Sequence, residues 1–251
     1  MRFSVEERQR YARHLDLPGF GSEAQARLRA GRVIVIGCGG LGSPALFYLA
    51  AAGVGRLGLV DDDLVEISNL QRQIIHATPD IGRRKVDSAV ARLRTLNPNV
   101  QLQPHAERLT QTNAHELFNS YDIILDASDN YATKFLISDI CVALNKPFVH
   151  ASISAFCGQI MTVQPRQSAC LRCVFPTPPP ESDDAANAAA GPLGAIPGVI
   201  GTLQALEAIK WLTGVGTLLT NQLLTFDGLT AEFHSAQAKR NPACRECGHP
   251  I

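Results

Sequence analysis

A glycine-rich turn over residues 37–42 has the composition of a phosphate-binding loop. It reads Gly-Cys-Gly-Gly-Leu-Gly, follows the apolar run 33–36 and opens a small-residue helix predicted over 43–52. Glycines let the backbone approach a pyrophosphate, and a helix N-terminus offers free N–H donors. Asp61 ends the next apolar run, where a carboxylate can accept hydrogen bonds from ribose hydroxyls. This pattern predicts an adenine-nucleotide site and leaves NAD(H) and ATP both open. Its candidate glycines are Gly37, Gly39, Gly40 and Gly42.

Two basic segments follow Asp61 and favour a triphosphate. Arg72 lies one turn into a segment that begins at Ser68, and the run 83–85, Arg-Arg-Lys, starts the next predicted helix. Both lie close in sequence to the carboxyl edge of the predicted sheet, where ligands of doubly wound folds bind. Cations there would stabilise the charge that a departing pyrophosphate gains. A solvated helical face is the simpler interpretation of the two arginines at 83 and 84, and for Lys85 both interpretations stay open.

Two acids, Asp126 and Asp129, close another predicted strand at the same edge. Mg²⁺ prefers one or two carboxylates together with phosphate oxygens, so this pair suits a magnesium ion. Asp is also a common N-cap, and Asp129 could instead cap the helix that follows. Residue chemistry alone leaves both interpretations open.

Four cysteines form two C-x-x-C pairs, which is a strong signature of a tetrahedral zinc site. A site closed by four thiolates has no open position for water, so we predict a structural role. Two disulfides or a redox pair are the alternative, which a reducing compartment disfavours. The other three cysteines, Cys38, Cys141 and Cys157, are interpreted as small buried apolar residues, although a helix N-terminus could lower the pKa of Cys38. The predicted zinc ligands are Cys170, Cys173, Cys244 and Cys247.

The elements that must position these residues alternate between strand and helix patterns. Strand patterns lie at 33–36, 57–60, 100–104, 123–125, 148–149, 159–164, 223–226 and 231–234. Helical patterns lie at 4–15, 43–52, 83–96, 112–119, 131–144 and 199–212. Such alternation implies a parallel sheet with helices on both faces. We predict a Rossmann-like mixed α/β sheet, parallel in its first half and antiparallel in its C-terminal strands.

The chain of 251 residues is expected to form one domain. Its nucleotide-binding half should span about 30–155, and its partner-binding and zinc half about 156–251. Residues 176–197 are rich in Pro, Ala and Gly and cannot form a core. Because long loops inside compact domains are often lids, we predict that this segment is a mobile cover for the site.

Overall charge and hydropathy exclude some partners. Lys and Arg total 23, and Asp and Glu also total 23, so no net field attracts nucleic acid or an anionic membrane. The first seven residues carry charges, unlike a signal peptide, and no run of about 18 uncharged apolar residues occurs. We therefore expect a cytoplasmic protein without nucleic-acid or membrane partners.

Several separate motifs occur together along nearly the whole chain. They are the stretches 37–42, 61–63, 68–73, 126–130 and 201–210, together with Lys85. In this order they resemble the MoeB/ThiF family, bacterial relatives of the ubiquitin-activating enzymes. Residues 143–147 and 226–228 look slightly more like ThiF than like MoeB.

The resemblance implies an ATP-dependent adenylyltransferase. Its substrate would be the C-terminal glycine carboxylate of a small ubiquitin-like sulfur carrier, ThiS-like or MoaD-like, that ends in Gly-Gly. The pathway would lead to thiamine or molybdopterin. The resemblance implies a homodimer in which Arg13 reaches the neighbouring ATP, and it places Mg²⁺ on Asp129. It also places Asp61 on the ribose and Asn69, Arg72 and Lys85 on the phosphates. Further nucleotide contacts are expected from Asp63, Gln73 and Asn130.

One departure from the family pattern concerns the loop 176–197. ThiF-like and many MoeB-like relatives have a cysteine eleven positions before the Gly-Val-Ile-Gly that begins the last long helix. Counting back from Gly198 gives Asn187, and the loop contains no cysteine. Adenylation is therefore expected, and a covalent sulfur step on this chain is in doubt. No rhodanese domain follows in the sequence, so we expect a separate sulfur-donor protein. An NAD-dependent oxidoreductase, a non-catalytic scaffold, and adenylation of a peptide or a tRNA base remain alternatives.

Overall fold

An eight-stranded mixed sheet organises the chain in a computed structural model that describes residues 3–180, 182 and 191–248. The strands are β1 (Arg32–Ile36), β2 (Arg56–Val60), β3 (Gln101–His105), β4 (Ile123–Asp126), β5 (Phe148–Ser154), β6 (Cys157–Val163), β7 (Gln222–Asp227) and β8 (Glu232–Gln237). Their order is β3-β2-β1-β4-β5-β6-β7-β8. The first five strands of this order form four parallel pairs, and the remaining three pairs are antiparallel, which confirms the predicted fold class.

The helices lie on both faces of this sheet. They are α1 (Val5–Arg10), α2 (Ala12–Leu15), α3 (Gly21–Ala30), α4 (Gly42–Ala52), α5 (Lys85–Leu96), α6 (Gln111–Asn119), α7 (Tyr131–Ala143), α8 (Leu171–Val174) and α9 (Ala195–Thr213). Among the helices in the described ranges, none has the length and apolar character needed to cross a membrane.

The N-terminal helices confirm the predicted start of the first helix and correct its predicted length. Ser4 and Glu7 form the predicted capping box, with the Ser4 hydroxyl accepting from the Glu7 N–H at 3.0 Å and the Glu7 carboxylate accepting from the Ser4 N–H at 2.7 Å. The helix predicted over 4–15 is divided at Tyr11, whose side chain is buried and accepts a hydrogen bond from Asn97. Sequence analysis missed α3, which buries only three of its residues and therefore lacks a clear apolar stripe.

Two apolar layers enclose the parallel strands. In β1, Val33 and Val35 pack in the layer formed with α4 and α5, whereas Ile34 packs in the layer formed with α6 and α7. A strand that is covered on both faces needs apolar side chains at every position, which explains the continuous run of β-branched residues. The strand order reverses between β1 and β4, and this switch point opens a crevice at the carboxyl ends of the strands.

Candidate nucleotide site and zinc centre

A cavity of about 450 Å³ opens at the carboxyl edge of the sheet, at the switch point. Side chains and backbone from the ends of β1, β2 and β4 meet here with the start of α5. Most of the site residues predicted from the sequence line this one cavity, although they are spread over almost a hundred positions. They are Gly37, Gly39, Gly40, Asp61, Asp63, Arg72, Gln73, Lys85, Asp129 and Asn130.

The glycine loop forms one wall of the cavity because side chains are excluded at two of its positions. Gly37 has a φ of 102°, in the left-handed region, and an added Cβ would overlap the carbonyl group of Ala127. Gly42 does not line the cavity. A Cβ at that position would overlap the carbonyl oxygen of Gly37. Because Gly42 has no Cβ, α4 can begin directly against the loop.

Asp61 is fixed beneath the loop by backbone donors. Its Oδ2 accepts from the N–H of Cys38 at 2.8 Å, and its Oδ1 accepts from the N–H of Asp63 at 2.9 Å. Burial raises the pKa of Asp61, while Lys85 and the two N–H donors act in the opposite direction. Each carboxylate oxygen keeps a lone pair that a ribose hydroxyl could use.

Lys85 is a buried cation of the cavity, with 6% of its surface exposed. Burial by itself would lower its pKa, but the carboxylates of Asp61, Asp63 and Asp129 outweigh burial and raise it. The ammonium therefore stays charged at neutral pH. One of its three donors is used by Asp63 Oδ2 at 2.7 Å, and the other two are available for phosphate oxygens.

Arg72 and Gln73 approach the cavity from the segment before α5. One Nη of Arg72 donates to the carbonyl of Ser68 at 3.1 Å, which anchors the side chain and leaves further N–H donors. Gln73 Oε1 is buried and has no hydrogen-bond partner in the described part of the chain. A buried acceptor of this kind needs a donor, and a nucleotide hydroxyl or amine could supply one.

The acidic side of the cavity lies at the start of α7. Asn130 is the N-cap of that helix, since its side chain accepts from the N–H of Thr133 at 2.9 Å. Asp129 is exposed and its carboxylate accepts from Asn130 Nδ2 at 3.3 Å. The helix cap is therefore Asn130, and the alternative that Asp129 is the cap is wrong. The Asp129 carboxylate retains free lone pairs, which fits a Mg²⁺ ligand.

A second group of carboxylates in the cavity directly follows β2. The carboxylate oxygens of Asp61, Asp62 and Asp63 lie within 4.8 Å of one another, a spacing that a cation could bridge. Lys85 already neutralises part of this charge through its contact with Asp63.

Besides Gly42, two predicted site residues are not in the lining of the cavity of this chain. Asn69 is buried and its Oδ1 accepts from the N–H of Glu66 at 3.2 Å, within the short helix Ile67–Asn69. Arg13 is exposed on α2 and does not line the cavity. Their roles toward ATP stay predictions.

Nine of the 22 residues of the predicted cover over 176–197, namely 181 and 183–190, lie outside the described residues. Its described C-terminal part contributes Gly191 and Pro192 to the wall of the cavity. The Nε2 of Gln71 approaches the carbonyl of Pro192 at 3.5 Å, so this part of the segment contacts the nucleotide half.

Sequence analysis missed Lys134, which lines the same cavity from α7. Its Nζ donates to the carbonyls of Ser128 at 2.7 Å and Ala151 at 2.6 Å and lies 3.3 Å from the Asp126 carboxylate. Burial tends to raise the pKa of Asp126, but Lys134 and His150 outweigh burial and lower it. The only sequence signal was a lysine one turn after the acids of 126–130, and no pattern distinguishes it from a surface lysine.

The four predicted zinc ligands come together at the C-terminal end of the chain. Sγ–Sγ distances are 3.7 Å for Cys170 to Cys173, 3.7 Å for Cys170 to Cys244 and 3.4 Å for Cys173 to Cys247. All four sulfurs lie within 4.8 Å of one another. A tetrahedron with Zn–S bonds of about 2.3 Å has edges of about 3.8 Å, so the cluster fits a zinc ion. Disulfide sulfurs would be about 2.05 Å apart.

Arg172 connects this cluster to α7. Its guanidinium is buried and donates twice to the Asp139 carboxylate at 2.7 Å, and it also stacks on the ring of Phe135 at 4.8 Å. The N–H of Asn241 donates to the Cys173 sulfur at 3.3 Å, as expected for a metal thiolate. The zinc site would therefore join the C-terminal segment to the helix that begins at the nucleotide cavity.

This combination of a switch-point cavity, a glycine loop and converging cations defines a nucleotide-binding α/β protein of the doubly wound class. A family model described as the ThiF family matches residues 11–246, and the chain belongs to this family. The resemblance that the sequence motifs indicated is thus confirmed.

Curated relatives match over almost the whole chain. A sulfur carrier protein adenylyltransferase from Thermus thermophilus is 45% identical over 99% of this chain and 93% of its own length. A SAMP-activating enzyme E1 from Haloferax volcanii is 44% identical over 95% of this chain and 88% of its own. The MOCS3 adenylyltransferase and sulfurtransferase of Bos taurus is 48% identical over 98% of this chain, which spans only 54% of that relative.

Solved structures with the same fold are more distant in sequence. E. coli MccB has a TM-score of 0.86 with 23% identity, covering 99% of this chain and 75% of that one. A structure of MccB with ATP has a TM-score of 0.81 with 24% identity, covering 90% of this chain and 69% of that one. At this level of identity the likeness concerns the fold alone.

Proposed function

We propose that this protein uses ATP to adenylate the C-terminal carboxylate of a small ubiquitin-like sulfur-carrier protein and releases pyrophosphate. The observation that carries the proposal is the convergence of Lys85, Arg72 and a glycine loop on one cavity that also contains Asp61 and Asp129. A hydride-transfer site has little use for several cations beside its phosphates. The names of the Thermus and Haloferax relatives support the sulfur carrier as substrate and the activation chemistry.

The chemical step needs no protein nucleophile or general base. A C-terminal carboxylate has a pKa of about 3.3 to 3.7, so at neutral pH it is ionised and can attack the α-phosphate of ATP directly. The P–O bond to the pyrophosphate breaks, and an acyl-adenylate forms. Lys85 and Arg72 would hold the triphosphate and stabilise the charge on the leaving pyrophosphate, while Asp61 would orient the ribose.

Asp129 fits the role of the magnesium ligand, since its carboxylate is exposed to the cavity and makes one weak hydrogen bond. A bound Mg²⁺ would neutralise charge on the phosphates. Lys134 would keep the wall around this acid rigid, because it binds the carbonyl of Ser128, the residue before Asp129.

A second cavity, of about 360 Å³, could admit the tail of the carrier. It shares Ser152 and Ile153 with the nucleotide cavity and continues over β6 and β7 past Phe226. A flexible Gly-Gly tail lying there would reach the α-phosphate from the side opposite the glycine loop. Gly191 and Pro192, from the described end of the predicted cover, line the nucleotide cavity and would help to exclude water from the acyl-adenylate, which hydrolyses readily.

The assembly that we propose is a homodimer, with Arg13 of each subunit acting at the ATP of the other. Its exposed position on α2, away from the cavity of its own chain, leaves Arg13 available for such a role. The zinc site is proposed to be structural. Sulfur is proposed to come from a separate donor protein, and the product could serve thiamine, molybdopterin or another thiolated compound.

The test is carrier-stimulated exchange of labelled pyrophosphate into ATP. Asp129→Ala should abolish the exchange while the variant remains folded. Asp87→Ala, at an exposed position of α5 that does not line the cavity, provides a matched control with the same charge change. Wild-type exchange with a carrier ending in Gly-Gly, and none with a carrier lacking the terminal glycine, is the expected result. Undiminished exchange in Asp129→Ala would remove Asp129 from the mechanism.

Three other outcomes would redirect the assignment. Stabilisation of the protein by NADH and not by ATP would favour an oxidoreductase. Carrier binding without any exchange would favour a scaffold. Exchange stimulated by a short peptide or by tRNA, and not by a carrier, would change the substrate class.

A further inference from the structure

His76 lies beneath the glycine loop and binds one of its carbonyl groups. Its Nε2 is 3.0 Å from the carbonyl oxygen of Cys38, and its Nδ1 is 2.9 Å from the hydroxyl of Ser88. A carbonyl can only accept, so Nε2 carries the proton and donates, while Nδ1 accepts from the serine. The ring is 6% exposed, and burial lowers the pKa of His76, which keeps this neutral tautomer at neutral pH.

The direction of the Cys38 carbonyl determines where the next N–H points. All peptide bonds of the described chain are trans, and in a trans peptide the C=O and N–H bonds point in opposite directions. With the Cys38 carbonyl directed inward at His76, the N–H of Gly39 is directed outward. Gly39 lines the nucleotide cavity, and its N–H has no acceptor among the described residues. A free donor facing a cavity is what an anion site requires.

In the described part of the chain, the bond from His76 is the one hydrogen bond that holds the peptide plane joining residues 38 and 39. The plane before it is held by the bond from the Cys38 N–H to Asp61, and the plane after it by the bonds from Ser43 to the Gly39 carbonyl. Gly39 has no side chain and can adopt most backbone angles, so steric restraint at Gly39 does not by itself select the orientation of this plane. The hydrogen bond from His76 is therefore the restraint that selects one orientation.

The same imidazole connects the loop to the helix that supplies the principal cation. Ser88, which binds Nδ1, lies on α5 one turn after Lys85. One chain of hydrogen bonds thus runs from the Cys38 carbonyl through His76 to Ser88 of α5. This chain fixes the position of the Gly39 N–H relative to the Lys85 ammonium. Two groups that must act on the same phosphates gain a common support.

We propose that His76 is a positioning residue that directs the N–H of Gly39 at the phosphates of ATP. The inference rests on the proposed function, since it concerns how the same site binds the triphosphate. It assigns His76 no contact with the nucleotide itself.

Two substitutions separate the two ring nitrogens. In His76→Gln the side-chain amide can occupy the place of Nε2 and still donate to the Cys38 carbonyl. In His76→Asn the shorter amide can replace only Nδ1. We expect the dissociation constant for ATP, measured by calorimetry, to rise about tenfold in His76→Asn, the effect of losing one such hydrogen bond, and to stay within about threefold in His76→Gln.

Adenosine, which has no phosphate, is the matched ligand. Its dissociation constant should change less than about threefold in both variants, because the Gly39 N–H does not act on it. Equal losses for ATP and adenosine, or equal losses for the two substitutions, would overturn the proposal. If the wild-type protein binds ATP no better than adenosine, the proposed function fails, and this result is distinct from a failure of His76 alone.

A measurement on the wild-type protein does not depend on the variants being folded. In ¹⁵N-resolved spectra the amide proton of Gly39 should shift downfield when ATP is added and should not shift with adenosine. An unchanged Gly39 amide in the ATP complex would contradict the proposal directly.

Discussion

Replacing Lys134 by methionine tests the buried charges behind the cavity. Methionine keeps most of the side-chain volume and removes the ammonium, which donates to two carbonyls and lies 3.3 Å from the fully buried Asp126. Loss of one partner of a buried ion pair destabilises a protein by about 3 to 5 kcal/mol. His150 still donates to Asp126 at 2.8 Å, so we expect the lower value, about 3 kcal/mol. For a chain of this size that corresponds to a decrease in Tm of about 6 to 12 °C.

The pH dependence of stability tests whether the loss in Lys134→Met comes from the buried charge of Asp126. In the wild-type fold the pKa of Asp126 is lowered, so its ionised form contributes stability above the unfolded pKa of about 3.9, and this contribution is lost as pH falls through the folded pKa. Burial lowers the pKa of His150, and the charge of Lys134 lowers it further. Without Lys134 the pair Asp126–His150 therefore takes up a proton at higher pH, and this uptake stabilises the folded variant as the pH falls. The difference in the free energy of unfolding between wild type and Lys134→Met should therefore become smaller as the pH falls from 7.5 to 5.

Lys146→Met is the control in urea unfolding at both pH values. Lys146 also donates to two carbonyls, those of Asn119 and Tyr121, but it pairs with no carboxylate among the described residues, and it is only half-buried. We expect it to lower stability by about 1 kcal/mol at both pH values. A Lys134→Met effect that is equally small, or independent of pH, would refute the reasoning about Asp126.

Two further predictions concern the metal and the second subunit. Wild-type protein should contain one zinc per chain, and Cys247→Ser should lower both the zinc content and Tm; a metal content well below one in wild type would contradict the assignment. Mixing Arg13→Ala with Lys85→Ala protein should restore part of the exchange activity, because a heterodimer has one intact site; no recovery despite proven subunit exchange would exclude Arg13 acting across the dimer.

The parts of the fold that were predictable are those fixed by local sequence. The strand β1 follows from its continuous β-branched run, and the turn after it follows from glycines whose side chains the fold excludes. The C-x-x-C pairs identified a four-sulfur cluster across 74 residues because metal chemistry restricts ligand spacing. In each case a short pattern of residue types is compatible with only one local structure.

The parts that were not predictable depend on contacts between distant segments. Lys134 and His76 are ordinary polar residues in the sequence, and only the packing of α7 and α5 against the strand ends buries them. The sequence around 126–130 predicts a helix start near Asp129, but it does not indicate whether Asp129 or Asn130 is the N-cap. Tertiary packing also hides α3, whose buried face includes the polar Gln25.

The buried polar residues have a common physical role around the cavity. A site that binds a triphosphate must hold several cations close together and away from solvent. If their side chains were mobile, screening by solvent would weaken their interaction with the phosphates. Here Lys134 fixes the end of β4, Arg172 fixes α7 to the sulfur cluster, and His76 fixes the glycine loop to α5. The polar hydrogens of these residues are directed at backbone carbonyls or at a carboxylate of the surrounding structure. The groups that face the cavity can then remain partly unpaired, which leaves their charges and donors for the nucleotide.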